Sequence, residues 1–228
     1  MSITELDNPI WYSLNNAHKK FAIGGDSARC YPPEVFRGVG LKENTEEALA
    51  ELATIPTQHR LIIMNFPEVE QYGWKIILQI PTLQMIYDKP LSKPEHEIEI
   101  HALTQEDVPE MLALIELAKP GPFGERTIEM GSYIGIRQNN QLVAMAGSRI
   151  FTPHYREISA VCTHPDYRGK GYASLLIQLL TYQFQQEGII PFLHVMASNE
   201  NAIRLYEKLG FELHQEVSMI GIRRAGNN

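Results

Sequence analysis

The sequence predicts a mixed α/β fold: one sheet with helices on both faces, and a smaller α/β unit ahead of it. Three observations predict it. The region after residue 96 reads, in order, strand, helix, hairpin, strand, helix, strand, helix, strand. Hydrophobic residues make up 44% and charged residues 21% of 228 residues, ordinary globular usage that supports a buried core. The stretch Asp88-Lys-Pro-Leu-Ser-Lys-Pro-Glu95 places two prolines and four charges in eight residues, the signature of an exposed linker. The expected division is therefore residues 1–95 and 96–228.

In the first part, Asn44-Thr45-Glu46-Glu47 reads as a helix start. Ala48, Leu49, Leu52 and Ala53 follow at a spacing that suits one buried face. His59 to Phe66 and Trp74 to Ile80 are expected strands, and Pro32, Pro33 and Pro67 punctuate loops.

In the second part, Glu97 to Ala102 alternates Ile98 and Ile100 with acids, as a half-buried strand does. Thr104 caps a helix carrying Val108, Met111, Leu112, Ile115 and Leu117, and Lys119-Pro-Gly-Pro122 stops it. Ser132 to Arg137 and Gln141 to Phe151 flank Asn139-Asn140, a hairpin signal. Arg156 to Thr163 is a strand. Gly171 to Gln186 is a helix with Leu175, Leu176, Leu179, Leu180 and Phe184 inward. Phe192 to Ala197 is a strand, Asn201 to Leu209 a helix capped by Gly210, and Phe211 to Ile222 one or two closing strands.

Composition narrows the function. A formal net charge of -7 argues against a nucleic-acid partner. Two cysteines, Cys30 and Cys162, make neither a disulfide framework nor a zinc cluster and read as free thiols in a reducing compartment. The first residues lack the basic and apolar regions of a secretory signal, and no apolar run reaches the ~18 residues of a membrane span. A cytoplasmic protein with no metal is expected.

Val161 to Ser174 carries the chemistry. A strand ends near Thr163, Pro165 and Asp166 turn the chain, and Gly169 and Gly171 admit backbone conformations closed to other residues. A long helix starts at once, and its free N–H groups and dipole favour an anion. Arg168 and Lys170 add positive charge. No G-x-x-x-x-G-K-[ST] spacing exists. A G-x-G-x-x-G fingerprint fails at Ser174, and no acid ends the next strand, where Ser198-Asn199 stands. Arg168-Gly-Lys-Gly171-Tyr-Ala173 fits [QR]-x-x-G-x-[GA] instead, a six-residue pattern that chance also produces.

Downstream, Asn199-Glu-Asn-Ala202-Ile-Arg-Leu-Tyr206-Glu-Lys-Leu-Gly210-Phe211 stands in the right order after that loop. Together the two stretches resemble the GNAT acetyltransferase superfamily, over about residues 97–222. Glu157 to Val161 and Pro191 to Val195 look closer to its glycine N-acyltransferase-like subgroup. The resemblance implies a mostly antiparallel GNAT-type sheet and a co-substrate, acetyl-CoA or another short acyl-CoA. It also implies direct transfer of the acyl group to a primary amine of a small molecule or amino acid, with a homodimer left open. A non-catalytic coenzyme A-binding or regulatory module is the alternative, and a dinucleotide-binding domain a distant third.

Residue by residue, the resemblance assigns Arg168, Gly169, Lys170, Gly171, Tyr172, Ala173 and Ser174 to the pyrophosphate. It assigns Val161, Cys162 and Thr163 to the pantetheine arm, with a backbone N–H near Val161 polarising the thioester carbonyl. Asn199 contacts pantetheine, or is simply a helix N-cap. Tyr206 is the general acid, although its i, i+3, i+4, i+7 spacing with Ala202, Leu205 and Leu209 also suits a core tyrosine. Glu157 is the candidate base, directly or through water, against an edge-strand charge facing solvent. His154 and His164 read as solvated loop residues and His194 as a hydrogen-bonded structural histidine. Acceptor choice is expected to lie with residues 120–130, 151–155 and the N-terminal unit.

Overall fold

The computed structural model describes residues 5–56, 61–64 and 68–225. In chain order the elements are α1 (Pro9–Asn15), β1 (Ile23–Gly24), β2 (Ala28–Cys30), β3 (Val39–Leu41), α2 (Glu46–Thr54), β4 (Leu61–Met64), β5 (Trp74–Ile86) and β6 (His101–Leu103). They continue with α3 (Val108–Ala118), β7 (Tyr133–Gln138), β8 (Gln141–Phe151), β9 (Tyr155–Thr163), α4 (Tyr172–Gln186), β10 (Ile190–Met196), α5 (Glu200–Leu209) and β11 (Glu212–Arg224). Among the described residues, eight strands form one sheet in the order β4-β11-β5-β10-β9-β8-β7-β6, and β1-β2-β3 form a second, small sheet. Every pair in the large sheet is antiparallel except β9 with β10.

The expected mostly antiparallel sheet flanked by helices is therefore present, with local differences. The expected strand over Glu97 to Ala102 is confined to β6, and the flanks of the His59–Phe66 strand lie outside the described residues. The strand expected to end at Ile80 runs on through Pro81 to Ile86. Pro81 is tolerated because β10 ends beside it. Its carbonyl accepts from Ala197 N, and the N–H it lacks would have pointed past the last β10–β5 pair, Met196 with Thr82. Phe211 to Ile222 resolves into one strand, with a register shift between Leu213 and Gln215.

The linker expected at Asp88–Glu95 has no helix or strand. Yet β5, ahead of it, lies between β10 and β11, which follow it. Two N-terminal clusters also close over later residues. One joins Leu49 and Leu52 of α2 to Ile220 and Ile222. The other joins Ile10 and Leu14 of α1 to Met130, Ile150 and Phe192. The division expected at residue 95 thus falls inside a shared sheet. The short α1 and β1 to β3 carry too few residues for a readable period.

Helix α4 buries Leu176, Ile177, Leu180 and Phe184 in the central cluster with Ile158, Leu193 and Tyr206. At about 1.5–3 kcal/mol for each such side chain, this packing holds the helix and its N-terminus against the sheet. Helix α3 contributes Met111 and Leu114 to a different cluster, which includes Met145 and Cys162. The Thr104–Asp107 capping box starts the turn that leads into α3.

Candidate active site

The parallel pair β9–β10 is in register only from Tyr155–Ile190 to Glu157–Phe192. Beyond that point the strands part. On its other side, β9 pairs Ser159 with Gly147 and Cys162 with Met145, so Ala160 and Val161 stand opposite Ala146 alone. That extra residue is a β-bulge, and Ala160 takes φ 52°, a left-handed conformation uncommon for a residue with a side chain. The bulge re-aims β9 where its ladder with β10 ends. Main-chain groups of β9 beyond Glu157 therefore face a cleft instead of a neighbouring strand.

Two cavities occupy this cleft. The larger, 510 Å³, is lined by Val161, Cys162, Thr163, Arg168 to Ser174, Asn199, Leu205 and Tyr206, with Ala118 to Pro120 opposite. The smaller, 250 Å³, is lined by Thr82, Pro120 to Pro122, Arg149, Ile158 to Val161, His194 to Met196 and Tyr206. Val161, Asn199, Ala202, Met196, Pro120 and Tyr206 belong to both walls, so the cavities meet there.

The larger cavity fits an elongated anion. Gly169 and Gly171 have φ 76° and 80°, and Gly171 caps α4 with no side-chain bond to its first turn. A Cβ at either glycine would meet nothing within 4 Å, so these glycines serve backbone conformation and open space. The unpaired N–H groups of the first α4 turn, with Arg168 and Lys170 beside them, suit a pyrophosphate. The unpaired edge of β9 suits an amide-bearing arm laid along it like a strand.

All the site residues singled out from sequence line this cavity except Glu157. Asn199 accepts from Ala202 N at 3.2 Å, so it is the N-cap of α5 while also lining both cavities. Tyr206 lies on the buried face of α5, edge-on to Phe211 with ring centroids 6.1 Å apart. Burial pushes this phenol up to about 12. Burial pushes the Cys162 thiol, in the same wall, up to about 12 as well, which leaves it an inert neutral group.

Glu157 is not in either cavity wall, and it is not an edge-strand charge. It is 1% exposed, and Arg149 donates to it from Nε at 2.9 Å and from Nη2 at 3.0 Å. His194 Nδ1 lies 2.8 Å from the same carboxylate. Burial opposes ionisation, but the Arg149 charge and the His194 hydrogen bond outweigh it and hold the carboxyl at about 2. The carboxylate expected as a base is thus a buried group that anchors Arg149 and His194 beside the cleft.

The reading of His194 as a hydrogen-bonded histidine holds. Its Nε2 lies 3.1 Å from Gln84 Nε2, which also donates to the Leu6 carbonyl at 3.0 Å, and Gln215 donates to Gln84 Oε1 at 2.9 Å. Leu6 O thereby sets the Gln84 amide, whose Nε2 faces His194 Nε2 as a donor, while His194 Nδ1 faces the Glu157 carboxylate. Of the two loop histidines, His154 is largely exposed but pairs with Glu5 at 2.6 Å, and His164 is mostly covered and accepts from Asp166 N. Arg149 and Gln84 were not singled out from the sequence. The signal available was an arginine, the one charge inside the mostly apolar run Val143 to Phe151.

Comparison with known proteins agrees with the fold. A putative GNAT-family acetyltransferase from Novosphingobium aromaticivorans has the same fold, with a TM-score of 0.86 and 32% identity over 97% of this chain and 99% of that one. The chain belongs to the GNAT family. Residues 133–220 of this GNAT protein match the model of the FR47-like protein family. A GCN5-related N-acetyltransferase from Kribbella flavida shares the fold at 17% identity, with a TM-score of 0.65 and 93% coverage of both chains. The [ribosomal protein bS18]-alanine N-acetyltransferase of Escherichia coli is 28% identical over 118 residues, 49% of this chain and 79% of that protein. The chain spans only 37% of a Mycobacterium leprae relative that is 33% identical to it, and 43% of a Sodalis glossinidius acetyltransferase.

Proposed function

We propose that this GNAT protein is an N-acyltransferase that moves a short acyl group, most simply acetyl, from acyl-CoA to a primary amine of a small molecule or amino acid. The observation that carries the reading is the meeting of the two cavities at Tyr206 and Val161. One cavity has the anion cradle and the free strand edge, and the other is a small separate chamber.

When bound, acyl-CoA supplies the activated thioester. Arg168 to Ser174 hold its pyrophosphate through backbone N–H groups, and Val161 to Thr163 offer main-chain groups to the pantetheine amides. The Val161 N–H is aimed at the carbonyl that gains negative charge. The acceptor amine, in its neutral form, attacks that carbon. A C–N bond forms, the C–S bond breaks, and the sulfur leaves as a thiolate. Tyr206 gives the thiolate its hydroxyl proton, and the proton shed by the amine makes up the balance. Its place supports this role: Tyr206 stands in the wall where the two cavities meet, and burial keeps its hydroxyl protonated.

A thiol-release assay with acetyl-CoA over amino acids, polyamines, aminoglycosides and peptides tests the reading. Peptides belong in the panel because one relative is named for acting on a ribosomal protein alanine. Release with at least one amine, slowed strongly by Tyr206→Phe while acetyl-CoA still binds, is the expected result. Binding without release across the panel would favour a non-catalytic coenzyme A-binding module.

A further inference from the structure

Among the described residues, Arg149 is the one lysine or arginine in the wall of the 250 Å³ cavity, and no carboxylate shares that wall. Its side chain is 11% exposed. Nε and Nη2 are taken by Glu157, and the guanidinium lies over the Phe36 ring at 4.7 Å. Among the described residues the bonds to Glu157 use Nε and Nη2 and leave Nη1 over, while Arg149 lines the open chamber. A charged donor left over beside a chamber is suited to an acceptor that arrives with the ligand.

The network behind it has no catalytic reason to be so complete. Gln215 donates to Gln84, Gln84 to His194 and His194 to Glu157, which grips the guanidinium from two sides. Each link removes a rotamer from the next, and the chain ends by fixing the guanidinium in the chamber wall. The pair with Glu157 is neutral overall. Attraction from Nη1 is therefore short-ranged and directional, a hydrogen bond rather than a field.

We propose that the acceptor is a free amino acid or another small amino carboxylate, whose carboxylate is held by Arg149 Nη1 while its amine lies on the Tyr206 side. The proposal rests on the acyl-transfer reading for the identity of the chamber, and its test does not need turnover. Ser159, in the same wall, offers a hydroxyl as a second donor. A charge-assisted bond of this kind favours a carboxylate over the matching amide by about 10- to 100-fold.

The test is equilibrium binding, by calorimetry with coenzyme A present, of a panel of N-acetyl amino acids and the corresponding N-acetyl amino acid amides. Wild-type protein is expected to bind some carboxylates at least about 10-fold tighter than their amides. Arg149→Lys should abolish that ratio, because lysine can keep the Glu157 pair but has no Nη1. R149Q/E157Q, which removes both buried charges together, should abolish it as well. In wild-type protein the Arg149 guanidinium NMR signals should move with the carboxylates and stay in place with the amides, so the assignment does not depend on a variant that folds. Equal binding of carboxylates and amides, binding of neither, unmoved guanidinium signals, or a ratio that survives in both variants would overturn the proposal. Selective binding without thiol release would sink the acyl-transfer reading and leave Arg149 as the carboxylate site of a binding protein.

Discussion

Replacing Glu157 by Gln should destabilise the fold by about 3 kcal/mol. The substitution keeps size and shape but removes a negative charge from a carboxylate that is 1% exposed and gripped by Arg149 at 2.9 and 3.0 Å. Arg149 is left buried and uncompensated, a change that costs about 3–5 kcal/mol where one partner of a buried pair is removed. The carboxyl itself leads to a similar figure. It is held at about 2 against an ordinary 4.5, which is worth roughly 3–4 kcal/mol at neutral pH. For a chain of this size that is a drop of about 6–12 °C in Tm, readable by thermal or urea unfolding. R149Q/E157Q removes both charges and should recover most of the loss. A Glu157→Gln protein within about 1 kcal/mol of wild type, or a double variant no more stable than the single, would refute the reasoning. If Glu157 instead took the acceptor's proton, the double variant would regain stability but not turnover, with kcat toward amide acceptors down about a hundred- to ten-thousand-fold.

Tyr206→Phe should lower kcat by about a hundredfold or more with little change in acetyl-CoA affinity, measured by thiol release and calorimetry. Because Tyr206 sits at about 12, it stays protonated throughout the neutral range, so the pH–rate profile should show no alkaline limb from it below about pH 11. His18 is buried with Nε2 at 2.7 Å from the Met130 carbonyl, and burial lowers it to about 4. The unfolded chain then binds a proton below pH 6.5 that the folded chain refuses. Stability should fall by ~3 kcal/mol between pH 6.5 and 4, ahead of the Glu157 loss between 4.5 and 2, and His18→Gln should flatten the first step in urea titrations. Gly171→Ala should cost about 1–2 kcal/mol in unfolding experiments. The added methyl meets nothing, and only the left-handed backbone at φ 80° is strained. Asn199→Ala should cost about 1 kcal/mol by the same measurement, through the lost cap on α5.

The parts of the site that were legible in the sequence are contiguous in it. Arg168 to Ser174 set their own backbone, because left-handed glycines and a helix N-terminus are local features that no distant residue has to complete. The same is true of the Gly210 cap and of the Tyr206 face of α5. The N-terminal elements were harder to read. Strands of two or three residues carry no period, and Pro81 in the middle of β5 reads as a stop until β10 is known to end beside it.

Glu157 marks the boundary most clearly. Period-2 alternation identified it as an acid inside an apolar strand, and its free energy depends on what lies opposite. Arg149 comes from the strand before, His194 from a strand that arrives only after α4, and Gln84 from a strand ahead of the linker. Sheet registry alone brings these four together, and it turns an expected base into an anchor for a guanidinium in the second cavity wall. The sequence by itself determined the glycine loop at the α4 N-terminus, the order of elements and the position of Tyr206, because each follows from residues within a few turns of one another. Only the tertiary structure decided where β9 parts from β10, how β5 joins the two sides of the linker, and which charges share a low-dielectric interior. Those outcomes depend on distances between residues far apart in the chain, and the energy of a buried charge depends on such distances.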